Sequence, residues 1–110
     1  MNNVTLTGRL VRDPQLRNTN DGDPVCGIRL AVDGMGRNHT VGYVDVTVFG
    51  NPGRACAEHL SKGWLVAVAG RLDYREWQAD DGTNRSAIAI TGGVEFLAAP
   101  KNAAAQPAAA

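Results

Sequence analysis

Arg71 and Arg75 share strand parity in Leu65-Val66-Ala67-Val68-Ala69-Gly70-Arg71-Leu72-Asp73-Tyr74-Arg75-Glu76-Trp77, so both guanidinium groups leave one face. Asp73 has the same parity and is placed to pair with either. Trp77 follows Arg75 and Glu76 and precedes Asp80-Asp81, a charged setting foreign to a deep core. Flat rings beside guanidinium groups suit a flexible polyanion that carries stackable bases, because every base offers a π-face and every linkage a negative charge. One such ring is worth roughly 1–3 kcal/mol by alanine substitution. A polar turn, Asp80-Asp81-Gly82-Thr83, follows the strand, and Arg85 leads a return strand to Ile90, making one long β-hairpin.

Other chemistries find little material. The acids are scattered, no nucleophile motif is present, and neither His39 nor His59 has a carboxylate partner at close spacing. Catalysis is therefore not expected. Asp80-Asp81 sits in a turn, where solvation explains it. Cys26 and Cys56 lie thirty residues apart without CxxC spacing, which argues against zinc and for reduced core thiols in a cytoplasmic protein. No metal or cofactor is expected. No apolar run approaches membrane-spanning length and the first residues lack leader character, so neither membrane association nor a leader is expected.

The 110 residues suit one domain, and 44% hydrophobic residues support a core. Acidic and basic residues balance at 11 each, so attraction to a polyanion must come from local charge rather than the sum. Nine of the 11 basic residues are Arg, which forks onto phosphate and stacks on bases. Arg9, Arg12 and Arg17 form one basic patch, with only Asp13 among them. Neutralising about four phosphates would give a log-affinity slope against log salt of about −3.

The elements that must position these groups follow from alternation. Val4 to Leu10 alternates with period two, with Val4, Leu6 and Leu10 inward and Gly8 marking a bulge or sharp bend. Asp13-Pro14 ends that strand, and Asn18 to Pro24 reads as a loop. Val25 to Val32 places Cys26, Ile28, Leu30 and Val32 on one side. Val41 to Phe49, rich in β-branched and aromatic residues, is a third strand, broken by Gly50-Asn51-Pro52-Gly53. Arg54 to Lys62 is a short helix with Gly63 at its C-terminal cap and Ala55, Cys56, His59 and Leu60 buried. Phe49 suits core packing and base stacking equally. Tyr43 is suited to strand-face packing, and Trp64 to packing at a barrel end or subunit interface. Residues 1–97 form the domain, and 98–110, rich in Ala and Pro, are expected to be a disordered tail. Three strands, a helix and two strands match an all-β, five-stranded OB-fold Greek-key barrel with the helix between strands three and four, with a small sandwich as the alternative that similar strands leave open.

Ordered motifs then bring a family into view. Asn3-Val4-Thr5-Leu6-Thr7-Gly8-Arg9-Leu10 with Asp13-Pro14-Gln15-Leu16-Arg17 resembles the first strand of bacterial single-stranded DNA-binding proteins. Ile28-Arg29-Leu30-Ala31-Val32 is similar to their second strand, and Tyr43-Val44-Asp45-Val46-Thr47-Val48-Phe49-Gly50 to their third. Ala57-Glu58-His59-Leu60-Ser61-Lys62-Gly63 resembles their helix end, and Val68-Ala69-Gly70-Arg71-Leu72 with Arg75-Glu76-Trp77 their fourth strand. Each motif is weak, and their order over residues 3 to 97 is strong.

The resemblance implies an OB-fold that binds single-stranded DNA without strong sequence preference, serving replication, recombination or repair, as a homotetramer or else a dimer. It places stacking at Tyr43, Phe49 and Trp77, and backbone or base contacts at Arg9, Arg17, Arg71, Arg75 and Arg85. Three departures stand out. Gly34-Met35-Gly36 lies where the family often carries a tryptophan, the loop after the second strand is short, and no acid follows Glu95, so recruitment of repair proteins by an acidic tail tip is not expected. The runner-up is an OB-fold module for protein contacts or RNA with weak DNA affinity.

Overall fold

Six strands and one α-helix make the fold: β1 (Val4–Leu10), β2 (Gln15–Asn18), β3 (Pro24–Val32), β4 (Gly42–Phe49), α1 (Gly50–His59), β5 (Leu65–Gln78) and β6 (Asn84–Ala98). They are seen in a computed structural model that describes residues 1–100. Alternation in β1 turns Leu10 fully inward and Val4 and Leu6 partly so, leaving Thr5, Thr7 and Arg9 exposed. β1 runs antiparallel to β5 from Val4↔Gly70 to Arg9↔Leu65, then meets β3 at Arg9↔Ala31 and Leu10↔Leu30. β3 and β4 are antiparallel, β5 and β6 form a long hairpin, and β4 meets β6 in parallel at Val46↔Ile90 and Thr47↔Thr91. The ring β1-β5-β6-β4-β3-β1 is therefore closed. With α1 between the third and fourth barrel strands, this is the OB-fold arrangement.

The interior holds Ile28 and Leu30 of β3, Val46 and Val48 of β4, Val66 and Val68 of β5 and Ile90 of β6, joined by Cys56 and Leu60. The β1–β5 register passes through Gly8 without a bulge. A Cβ there would lie 2.7 Å from the Ala31 carbonyl oxygen, so glycine serves close approach to β3.

Three boundaries differ from expectation. Residues 18–24 are not a plain loop: β2 and β3 are a hairpin paired from Gln15↔Gly27 to Asn18↔Pro24. Thr19 N–H bonds the Asp23 carbonyl at 2.8 Å, Gly22 N–H bonds the Thr19 carbonyl at 2.8 Å, and Gly22 takes a φ of 86°. The helix starts at Gly50 instead of Arg54 and ends at His59 instead of Lys62. Pro52 is tolerated in the first turn, where a backbone N–H has no intrahelical partner. At the other end Leu60, already extended, donates its N–H to the Cys56 carbonyl at 2.9 Å. His59 is exposed rather than buried, its Nε2 3.8 Å from Glu58, and Gly63 turns the chain into β5. The return strand continues past Ile90 to Ala98, the first residue of the expected tail. Residues 101–110 of that tail lie outside the described residues.

Pairing with β4 ends at Ile90, so residues 73–78 and 84–89 project from the barrel as a two-stranded arm. Its tip repeats the β2–β3 turn: Ala79 N–H bonds the Thr83 carbonyl at 2.8 Å, Gly82 N–H bonds the Ala79 carbonyl at 2.9 Å, and Gly82 has a φ of 86°. At the arm's root the Asn2 side chain mimics a strand residue, donating to the Leu72 carbonyl at 2.9 Å and accepting from its N–H at 2.8 Å.

Candidate nucleic-acid interface

The arm, β2 and the outer face of β4 enclose an open groove of about 440 Å³. β2 and its turn supply Arg17, Asn18 and Thr19. From β4 come Thr47 and Phe49, outward-facing because β4 alternates around buried Val46 and Val48. The arm supplies Asp73 and Arg75 from β5, opposite Ala89 and Ala87 of β6, whose small side chains leave the space open. A second recess shares Arg17, Thr47, Arg75 and Ala89 and adds Arg12, Gln15 and Asp45. Among the described residues no carboxylate lies within ion-pair distance of Arg12, Arg17 or Arg75. These three cations are thus available to an anion.

Trp77 stands at the outer end of the arm with 42% of its surface exposed. Arg75 holds its guanidinium 4.8 Å from the indole centroid, a cation–π contact along one face of β5. Across the hairpin Trp77 is paired with Arg85, whose Nη2 is 4.0 Å from Asp81. Asp81 accepts from the Thr83 hydroxyl at 2.6 Å and its N–H at 3.0 Å, and these bonds hold its carboxyl below the usual range. Phe49 is 51% exposed, so the choice left open by its sequence falls on the surface.

Arg71 lies beside the groove, its Nε 3.6 Å from Asp73, while Asp73 also accepts from the Thr91 hydroxyl. Tyr43 is exposed on the outer face of β4 but six residues from Phe49, about 20 Å along a strand. Arg29 leans over its ring at 5.6 Å and donates from Nη1 to both Asp45 carboxylate oxygens at 3.0 and 3.1 Å. Arg9 points elsewhere and donates to the Gly63 carbonyl at 3.0 Å, lining a separate recess with Asp33 and Leu65. The structure thus gathers Arg17, Phe49 and Arg75, sets Trp77 and Arg85 along the arm and Arg71 at its root, and leaves Tyr43 and Arg9 apart. Thr47 and Thr91 join unforeseen, and Arg12 of the expected basic patch lines the adjoining recess. Outward parity on β4 was a signal for Thr47. Trp64 is half-buried and packs edge-on to Phe96 at 6.1 Å.

Among the described residues no three His, Cys, Asp or Glu side chains gather as a metal site, and no helix is long and apolar enough to cross a membrane. A closed five-stranded barrel with a basic, ring-bearing groove beside a projecting hairpin defines the class, an OB-fold. Residues 1–97 match the model of the Single-strand binding protein family, and the chain belongs to that family. It is 37% identical over 103 residues to the single-stranded DNA-binding protein of Clostridium tetani, covering 88% of this chain and 70% of that one. Single-stranded DNA-binding protein 1 of Clostridium acetobutylicum is 32% identical over 109 residues, covering 94% and 99%. The single-stranded DNA-binding protein of Thermotoga maritima is 33% identical over 99 residues, covering 84% and 70%.

Proposed function

We propose that this chain binds single-stranded DNA largely without sequence preference, as a non-enzymatic cytoplasmic protein without cofactor, protecting strands exposed in replication, recombination or repair. The observation that carries this reading is the exposed Trp77–Arg75 pair standing beyond a groove in which, among the described residues, Arg17 and Arg75 have no carboxylate within ion-pair distance. Bases stack on Trp77 and Phe49 while Arg17, Arg75 and Arg85 follow the phosphates. None of these contacts reads a base edge, so the preference among sequences is weak.

The reverse face of the arm supports self-association. Leu72, Tyr74 and Ile88 share that face and remain 44–59% exposed, a contiguous apolar surface that a second copy would cover. A homotetramer is the assembly proposed, with a dimer as the other outcome.

Titration with a thymidine oligomer, read by tryptophan fluorescence with mass measured in parallel, tests both statements. Quenching is expected from Trp77, and persists in Trp64→Phe. No quenching would favour a module for protein contacts, and preference for a uridine oligomer in competition would favour RNA. Ile88→Glu is expected to lower the assembled mass while leaving the fold intact.

A further inference from the structure

Asp73 is the one acid among the described residues that line the main groove, and a carboxylate there opposes the polyanion the groove is proposed to hold. It lies between Arg71 and Arg75 on the same face of β5, with its side chain half exposed. Its contact with Arg71 is a single one, 3.6 Å from Nε to Oδ1, between two solvent-exposed groups. Such pairs are weak and exchange readily for another anion. The other acid nearby, Asp45 in the adjoining recess, differs. Arg29 Nη1 donates to both its carboxylate oxygens, at 3.0 and 3.1 Å, and Arg29 itself leans over Tyr43. Asp45 is paired through both its oxygens, whereas Asp73 meets its arginine through one long contact and is otherwise held only by the Thr91 hydroxyl among the described residues.

We propose that Asp73 limits the groove's affinity for single strands: it is an internal counter-ion that competes with strand phosphates for Arg71. This rests on the groove being a single-strand site. A bound phosphate must displace the carboxylate to reach Arg71, and the displaced carboxylate then repels the strand. Binding is correspondingly weaker, less salt-dependent and easier to reverse. The hydrogen bond from Thr91 to Asp73 joins β6 to β5, and a purely structural carboxylate would do no more than that.

Asp73→Asn separates the two roles, because the amide oxygen still accepts from Thr91 while the charge is gone. Affinity for a thymidine oligomer at low salt is expected to rise about fivefold, the effect of one exposed charge near 4 Å. The slope of log affinity against log salt should steepen by about 0.7, one additional phosphate contact. Arg71→Ala should abolish the gain in Asp73→Asn. Thr91→Val, which breaks the tie without changing charge, should not reproduce the steeper slope of Asp73→Asn. Unchanged or weaker binding by Asp73→Asn, with an unaltered slope, would overturn the proposal while wild-type binding kept the reading of the groove. Failure of the wild type to bind would instead remove that reading, and this inference with it.

Discussion

The guanidinium of Arg75 lies 4.8 Å from the centroid of the Trp77 ring, two residues further along the same face of β5. Strand parity alone puts them on one face, and the exposed arm leaves the indole open to a base on its other side. The contact limits the ring's freedom before any strand arrives, which reduces the ordering cost of stacking. A cation and a flat ring are thus held as one unit.

Trp77→Ala should therefore weaken binding to a thymidine oligomer by about 1–3 kcal/mol, while Trp77→Phe keeps much of the affinity. Its 42% exposure at the end of an arm implies little effect on thermal unfolding. Full occupancy retained by Trp77→Ala in a fluorescence-independent assay, such as gel shift, would remove the stacking role.

Salt dependence distinguishes the arginines. With about four phosphates neutralised, log affinity should fall with log salt at a slope near −3, and Arg17→Ala or Arg75→Ala should each flatten it by about 0.7. Arg9→Ala should not, because its guanidinium is bound to the Gly63 carbonyl in a different recess. Equal flattening by all three variants would show that the strand wraps beyond the groove described.

Period-two alternation made β1, β3 and β4 legible, since each turns one face to a core of Leu, Ile and Val. β2 was illegible because its four residues are all exposed and it pairs only with β3. Gly50 to Gly53 reads as punctuation, yet it is the first turn of the helix, where proline does no harm. In the site, the shared face of Arg71 and Arg75 was readable from parity. The meeting of Arg17, Thr47 and Arg75 was not, because it depends on ring closure through the parallel contact of β4 with β6, which no local pattern encodes. For the same reason Arg9 and Arg17, eight residues apart in sequence, are carried to different recesses by the closed ring.

Below the arm, β5 and β6 approach closely at two facing glycines. Gly70 pairs with Gly92, and a Cβ on either would press into backbone of the opposite strand, the Thr91 carbonyl in one case and the Ala69 carbonyl in the other. Backbone cannot give way as a flexible side chain can, so Gly70→Ala and Gly92→Ala should each destabilise by about 1–3 kcal/mol. Gly93, with open space around its would-be Cβ, should accept alanine without loss. Urea unfolding of the three variants provides the comparison, and equal midpoints would show that β5 and β6 can separate at this point.

Cys56 and Cys26 make the alkaline limb of stability predictable. Burial pushes the Cys56 thiol up to about 11, reinforced by the charge Cys26 would carry beside it, and burial raises Cys26 as well. Both thiols are free, and only the thiolate reacts, so a thiol reagent at pH 8 should modify neither until urea exposes them. The sign follows from comparing states. Unfolded thiols ionise around their ordinary value of 9.0, whereas the folded Cys56 thiol stays neutral until about 11. Stability from keeping the proton is complete below the first value and is lost as pH rises through the second. Cys56→Ala removes that proton linkage, although the smaller side chain lowers stability at every pH. Urea midpoints measured from pH 8 to 11 should therefore fall faster for the wild type than for Cys56→Ala, and parallel curves would show that the Cys56 thiol ionises alike in both states.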